Sequence, residues 1–257
     1  MDNKLQTKQI IVNGLVINYY CYQSSQKNNK TLVFLHGWGV DSRSWQPIVS
    51  PLINQNYSVY LIDLPGFGQS QQPDEHFSLD NYADVVDQLI TKVGLNNIVL
   101  VGHSFGGRIT IKLGSKHAPY LKKIILVDSA GIEKKSQSIK LKMLIAKILK
   151  PFFQPKTMQG LRKKIYSLIG AGEYLAIPEL SKIFGTVTGE DLTPILNKIN
   201  QPTLIIWGDK DQTTPQKAAQ IVNSEIKGSQ LAIINNAGHF SFLDQPQKFI
   251  NIIMKFI

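Results

Sequence analysis

Six short runs of valine, isoleucine and leucine, at 31–35, 59–62, 98–101, 124–127, 203–207 and 231–234, constrain this chain more than any other feature. Each is too short for a helix and lacks the polar alternation of a strand with one wet face, so each reads as a strand buried on both sides. A sheet covered on both faces needs helices above and below, and helical patterns fall between the runs. The clearest are 78–93, 105–116, 215–226 and 246–256. In the first, Leu79, Tyr82, Val85, Val86, Leu89, Ile90 and Val93 form one 3.6-residue stripe between a Ser78 cap and Gly94. The last two begin near a proline that suits a first helical turn. Ahead of the first run, 8–12 and 15–22 are β-rich and joined by Asn13-Gly14, a dipeptide that supplies two positive φ angles for a tight hairpin. The expected fold class is α/β, with about eight mostly parallel strands flanked by helices. The interval between 127 and 203 holds no buried-strand run, and a structureless connection of that length does not suit a compact domain. It is expected to be an inserted helical piece.

In an open α/β sheet, reactive groups gather at the carboxyl ends of the strands. Those ends carry His36-Gly37-Trp38-Gly39, then Asp63-Leu64-Pro65-Gly66-Phe67-Gly68, then Gly102-His103-Ser104-Phe105-Gly106-Gly107. Further along come Asp128-Ser129, Gly208-Asp209-Lys210-Asp211 and Ala237-Gly238-His239-Phe240. Residues 102–106 fit G-x-S-x-G between a strand and a helix, the context that this motif requires. The turn lifts the Ser104 hydroxyl above the sheet and sets backbone N–H groups at a helix start, where a developing oxyanion is favoured. A serine hydroxyl is a weak nucleophile and needs a base oriented by a third group. Among five histidines, His239 follows the last strand in an Ala-Gly setting that lets its ring lean over the rim. His103 should point away from Ser104, His36 belongs to a glycine turn as a hydrogen-bonding group, His76 lies in a polar loop and His117 ends a helix. Asp211 is the leading orienter of His239, and Asp128 is its competitor because a carboxylate after that strand could also approach the ring. Asp209, closer to its strand, reads as a turn stabiliser.

The order Ser104, Asp211, His239, with the glycine-rich segments quoted above, resembles the serine-nucleophile branch of the α/β-hydrolase superfamily. The layout is similar to that of pimeloyl-ester-type carboxylesterases and meta-cleavage-product hydrolases, and it spans nearly the whole chain outside the insertion. The resemblance implies an α/β-hydrolase core at 1–130 and 196–257, interrupted by a helical cap at 131–195. It implies an oxyanion hole from the N–H groups of Trp38 and Phe105, with Trp38, Phe105 and Phe240 against the substrate. It implies cofactor-independent cleavage of a small-molecule carboxylic ester or thioester with an apolar acyl group through an acyl-enzyme on Ser104. Two rival readings stand beside it: hydrolysis of an activated carbon–carbon bond by the same residues, and a small-molecule receptor that uses its lid as a switch. Serine rather than aspartate at 104 argues against the dehalogenase and epoxide-opening relatives. G-x-G-x-x-G fails at both Gly37 and Gly66, and Arg108-Ile109 stands where a phosphate loop needs Lys and Ser/Thr, so no nucleotide cofactor is expected.

Charge sharpens the reading of the insertion. Lys and Arg number 28 against 18 Asp and Glu, a net +10, and the segment 134–164 alone holds ten basic residues and no acidic one. Outside 134–164 basic and acidic residues balance, so that segment alone carries the whole excess. Its Ile139, Leu141, Met143, Leu144, Ile145, Ile148 and Leu149 mix with Lys140, Lys142, Lys147 and Lys150, which predicts an amphipathic lid helix whose apolar face covers the rim. Weak contact with an anionic membrane is the sharper alternative. The aromatic residues among the lysines of 134–164 are one adjacent pair, Phe152-Phe153, and not the interleaved pattern that a strand-stacking site prefers, so nucleic acid is not expected as a partner. No apolar run approaches the ~18 residues that cross a bilayer, and the opening residues lack the charged-then-apolar order of a secretory signal, so a cytoplasmic location is expected. The single cysteine, Cys21, leaves no internal disulfide or cysteine-based zinc site.

Overall fold

The computed structural model describes residues 5–25, 30–132 and 180–257. Its strands are β1 (Gln6–Val12), β2 (Leu15–Tyr22), β3 (Thr31–Leu35), β4 (Ser58–Ile62), β5 (Ile98–His103), β6 (Leu121–Val127), β7 (Thr203–Gly208) and β8 (Gln230–Ile234). They form one eight-stranded sheet in the order β1-β2-β4-β3-β5-β6-β7-β8. The first two pairings, β1 with β2 and β2 with β4, are antiparallel, and the other five are parallel. Asn13 (φ 50°) and Gly14 (φ 79°) make the opening hairpin turn with both φ angles positive, as that dipeptide predicts.

The apolar runs are continuous because each strand feeds two cores. Leu32 and Phe34 of β3 pack into one cluster while Val33 and Leu35 pack into the other, and β5 alternates likewise through Val99 and Val101 against Ile98 and Leu100. Helices α1 (Gln46–Asn54) and α7 (Pro246–Phe256) cover the first face. Helices α2 (Leu79–Val93), α3 (Phe105–Ser115) and α6 (Gln216–Glu225) cover the second. Helix α2 is fixed at its start by a reciprocal Ser78–Asn81 capping box and at its end by Gly94 in the left-handed conformation. Helix α1 goes beyond the clear sequence patterns. Pro51 lies inside it and interrupts the backbone ladder, which weakens its helical signature.

Of the insertion, residues 131–132 and 180–195 are described, and the returning arm carries two helices, α4 (Ser181–Thr188) and α5 (Thr193–Leu196). Leu180, Ile183, Val187 and Leu192 are buried in the same cluster as Trp38 and Phe105, so this arm sits on the rim of the sheet. The expected amphipathic helix, at 139–150, and the whole basic segment 134–164 lie outside the described residues. Among the described residues, no helix is long and apolar enough to cross a membrane.

Candidate active site

Three strand ends converge on one point of the rim. The first is the turn from β5 into α3. Ser104 sits there at φ 49°, ψ −110°, a sparsely populated conformation that costs about 1–3 kcal/mol and persists only when its surroundings enforce it. The enforcement is close backbone approach. A Cβ on Gly106 would lie 2.4 Å from the Leu35 carbonyl oxygen, and one on Gly102 would lie 2.3 Å from Thr110 Oγ1. Nothing larger than glycine fits at either position, which explains the spacing of the motif. The Ser104 N–H donates to the Val127 carbonyl (3.1 Å), and Gly106 donates to that of His36 (3.1 Å).

His239, after β8, points its ring at this serine: His239 Nε2 stands 3.0 Å from Ser104 Oγ. On its other side, His239 Nδ1 is 2.8 Å from Asp211 Oδ2, in the loop after β7. A carboxylate accepts only, so the imidazole carries its hydrogen at Nδ1 and offers a bare Nε2 to the hydroxyl. Asp211 also accepts from the backbone N–H groups of Thr213 (2.8 Å) and Thr214 (3.0 Å) at Oδ1, and from the Thr214 hydroxyl (2.6 Å) at Oδ2. Burial alone would raise this carboxyl, but the bonds from His239 and Thr214 outweigh it and hold the group below the ordinary carboxylate range. Ser104, His239 and Asp211 thus stand in one hydrogen-bonded line.

Asp128, the competing acid, is not in that line. It is fully buried and accepts from the Gly208 N–H (2.8 Å) through Oδ1 and from the Ser241 N–H (3.2 Å) and hydroxyl (2.6 Å) through Oδ2. It therefore ties the end of β7 to the segment after His239. Burial pushes its carboxyl up to about 7 despite those bonds, and the neighbouring Asp211 charge adds to the rise. Asp209 accepts from the Ala237 N–H (3.1 Å), a turn contact between the same two loops.

The N–H groups of Trp38 and Phe105 donate to nothing among the described residues, and both belong to segments flanking Ser104. The loop carrying Trp38 is braced by His36, whose Nε2 accepts from the Leu64 N–H (3.0 Å) and whose Nδ1 therefore donates to the Gly37 carbonyl (2.8 Å). Buried Asp63 holds the same region by accepting from Ser42 N–H, Gln69 N–H and Asn18 Nδ2. The Trp38 ring packs edge-on against Phe67 (5.1 Å between centroids), Phe105 (5.2 Å) and Phe184 of α4 (5.1 Å), giving the rim an aromatic wall. Phe240 stands apart from this wall. It packs against His103 (4.8 Å), on the cluster at the opposite face, so the three residues expected to share the substrate surface do not lie together.

Thr214, Phe67 and Phe184 were not singled out by the sequence. A signal existed for Thr214, since a threonine three residues after an aspartate can close a side-chain-to-backbone turn on it. Phe184 had none, because its place depends on how the insertion returns to the core. Among the described residues, no group of three or more His, Cys, Asp or Glu side chains could hold a metal ion.

Residues 32–252 match the model of the alpha/beta hydrolase family. The chain is similar to a pimeloyl-[acyl-carrier protein] methyl ester esterase of Aeromonas hydrophila, at 28% identity over 88% of this chain and 94% of that one. It is similar to a proline iminopeptidase of Saccharolobus solfataricus, at 27% identity over 95% of this chain and 89% of the other. Among solved structures, a meta-cleavage product hydrolase of Pseudomonas fluorescens superposes with a TM-score of 0.73 at 20% identity, covering 97% of this chain and 96% of that one.

Proposed function

The chain belongs to the alpha/beta hydrolase family, and from that premise we propose that it is a serine hydrolase of carboxylic esters or thioesters with an apolar acyl part. Ser104 is the nucleophile, His239 the base and Asp211 its orienter. In the first half-reaction, the Ser104 proton passes to His239 Nε2 while Oγ bonds the carbonyl carbon. The N–H groups of Trp38 and Phe105 receive the oxyanion, each contributing about 3 kcal/mol to lowering the barrier. The tetrahedral centre collapses, and the leaving alcohol or thiol takes the proton from His239. Water, deprotonated by His239 in turn, then releases the acid and restores the Ser104 hydroxyl.

One observation carries this reading: the unbroken Ser104–His239–Asp211 hydrogen-bond line at 3.0 and 2.8 Å, over a serine in a strained turn. The aromatic wall of Trp38, Phe67, Phe105 and Phe184 supports an apolar acyl part, and the burial of Leu180, Ile183 and Val187 beside it supports a cap at 131–195. The esterase among the relatives supports an ester substrate, and the proline iminopeptidase, at similar identity, makes an amide the bond to test against it. The test is Ser104→Ala, which should abolish turnover of short p-nitrophenyl esters and labelling by a fluorophosphonate probe; retained labelling rejects the assignment. Parallel assays with a prolyl anilide and a dienoic ring-fission product test the bond cleaved, and faster turnover of either than of esters rejects the ester reading. Turnover without any protein partner argues against a receptor.

A further inference from the structure

His103 is the residue before the nucleophile, and the proposed chemistry makes no use of it. Because Ser104 occupies a sharp turn, the two neighbouring side chains leave the backbone in different directions. The His103 ring is buried among Trp45 (6.2 Å between centroids), Phe242 (5.2 Å), Phe240 (4.8 Å) and His239 (4.9 Å). Its Nε2 stands 2.7 Å from the main-chain carbonyl oxygen of His239. A carbonyl only accepts, so this nitrogen carries the hydrogen and donates it. The other nitrogen, Nδ1, has no hydrogen-bond partner among the described residues. It faces Gly37, where a Cβ would stand 2.8 Å away. Burial, reinforced by the nearby His239, lowers the imidazole to about 3, so the ring is neutral near neutral pH.

Two adjacent residues of one strained turn therefore hold the same residue of another loop. Ser104 meets the His239 side chain, and His103 grips its main chain. The flanks of that loop are pinned through different groups: Ala237 N–H on Asp209, Gly238 N–H on Asp244 and Ser241 N–H on Asp128. The His239 carbonyl is held by His103. We propose that His103 is a positioning residue, whose Nε2–H bond to the His239 carbonyl sets the distance between the His239 imidazole and the Ser104 hydroxyl. It touches neither substrate nor reacting atom. This inference rests on the reading of Ser104 and His239 as nucleophile and base.

The experiment compares two variants in the full chain. His103→Met keeps an apolar side chain of similar length and removes the donor, whereas His103→Gln can place an amide N–H where Nε2 stood. With a p-nitrophenyl ester, His103→Met should lower kcat by about tenfold to a hundredfold, the scale on which misplaced catalytic groups act, with KM nearly unchanged. The rate of Ser104 labelling by a fluorophosphonate should fall by the same factor, and His103→Gln should restore most of both. Equal kcat in wild type and His103→Met overturns the proposal. So does a His103→Gln variant as slow as His103→Met, because a merely structural role would not depend on the donor. Should His103→Met fail to fold, nitrogen-15 spectra of wild-type histidines decide the point, since the proposal requires a His103 ring protonated at Nε2 and bare at Nδ1. Failure of the underlying reading looks different: wild type would then hydrolyse no ester, or Ser104→Ala would remain active.

Discussion

Asp211→Asn offers a test in which the geometry dictates the outcome. An amide in place of the carboxylate must choose which of its two ends faces which partners. The Oδ1 site of Asp211 accepts from two main-chain N–H groups, Thr213 and Thr214, which can only donate. The amide must therefore keep its oxygen there and turn its NH2 toward the Oδ2 site, where His239 Nδ1 and the Thr214 hydroxyl wait. Facing a donor, His239 Nδ1 has to accept, so the ring's hydrogen moves to Nε2. The atom opposite Ser104 Oγ then bears a hydrogen and cannot take the serine's proton. The negative charge that would stabilise the imidazolium is lost as well. Together these effects are expected to cost on the order of 10⁴ in kcat, or about 5 kcal/mol of barrier, with KM little changed and the fold intact. Steady-state ester hydrolysis near neutral pH measures the loss, and thermal unfolding checks the fold. By contrast, Asp128→Asn should lower kcat by no more than about tenfold, because Asp128 touches the Ser241 and Gly208 backbone and not the imidazole. An Asp211→Asn enzyme within about tenfold of wild type, or an Asp128→Asn enzyme that is the slower of the two, would refute the reasoning.

Gly106→Ala should destabilise the fold by about 3 kcal/mol or more, since its methyl would stand 2.4 Å from the Leu35 carbonyl oxygen; an unchanged urea midpoint would count against the close approach. Asp128 titrates at about 7 when folded against 3.8 for the free group, so from about pH 4 upward the unfolded chain releases a proton that the native state retains. Its contribution to stability is full below that range and declines as pH rises to about 7, and Asp128→Asn should remove this decline in urea unfolding; parallel wild-type and variant curves would argue otherwise. Asp211 acts in the opposite sense, because its depressed carboxyl contributes stability that is lost as pH falls below the usual carboxylate range. Finally, the basic segment 134–164 should make the protein co-sediment with anionic vesicles at low salt and release it at high salt; equal recovery with neutral vesicles rejects membrane contact.

The sequence by itself determined the sheet. Its buried strands announce themselves by apolar runs that local composition dictates, and the runs at 31–35 and 98–101 fall within β3 and β5. Capping and turn residues act over a few positions, so Ser78, Gly94 and Asn13-Gly14 could be read in place. The motif around Ser104 was legible for the same reason: a turn that admits only glycine at 102 and 106 leaves its mark in five consecutive residues. Tertiary structure alone decided between Asp211 and Asp128. Both follow parallel strands next to each other in the sheet, and only the paths of the two loops determine which carboxylate reaches the ring. It also turned Phe240 toward His103 rather than toward Trp38, and it brought Phe184 from the returning arm of the insertion onto the Trp38 ring. The His103 bond to the His239 carbonyl belongs to this second class, because it joins groups 136 residues apart through a main-chain atom common to every residue. Local patterning fixes which segments are buried, whereas contacts between strand ends depend on how the whole sheet twists and closes.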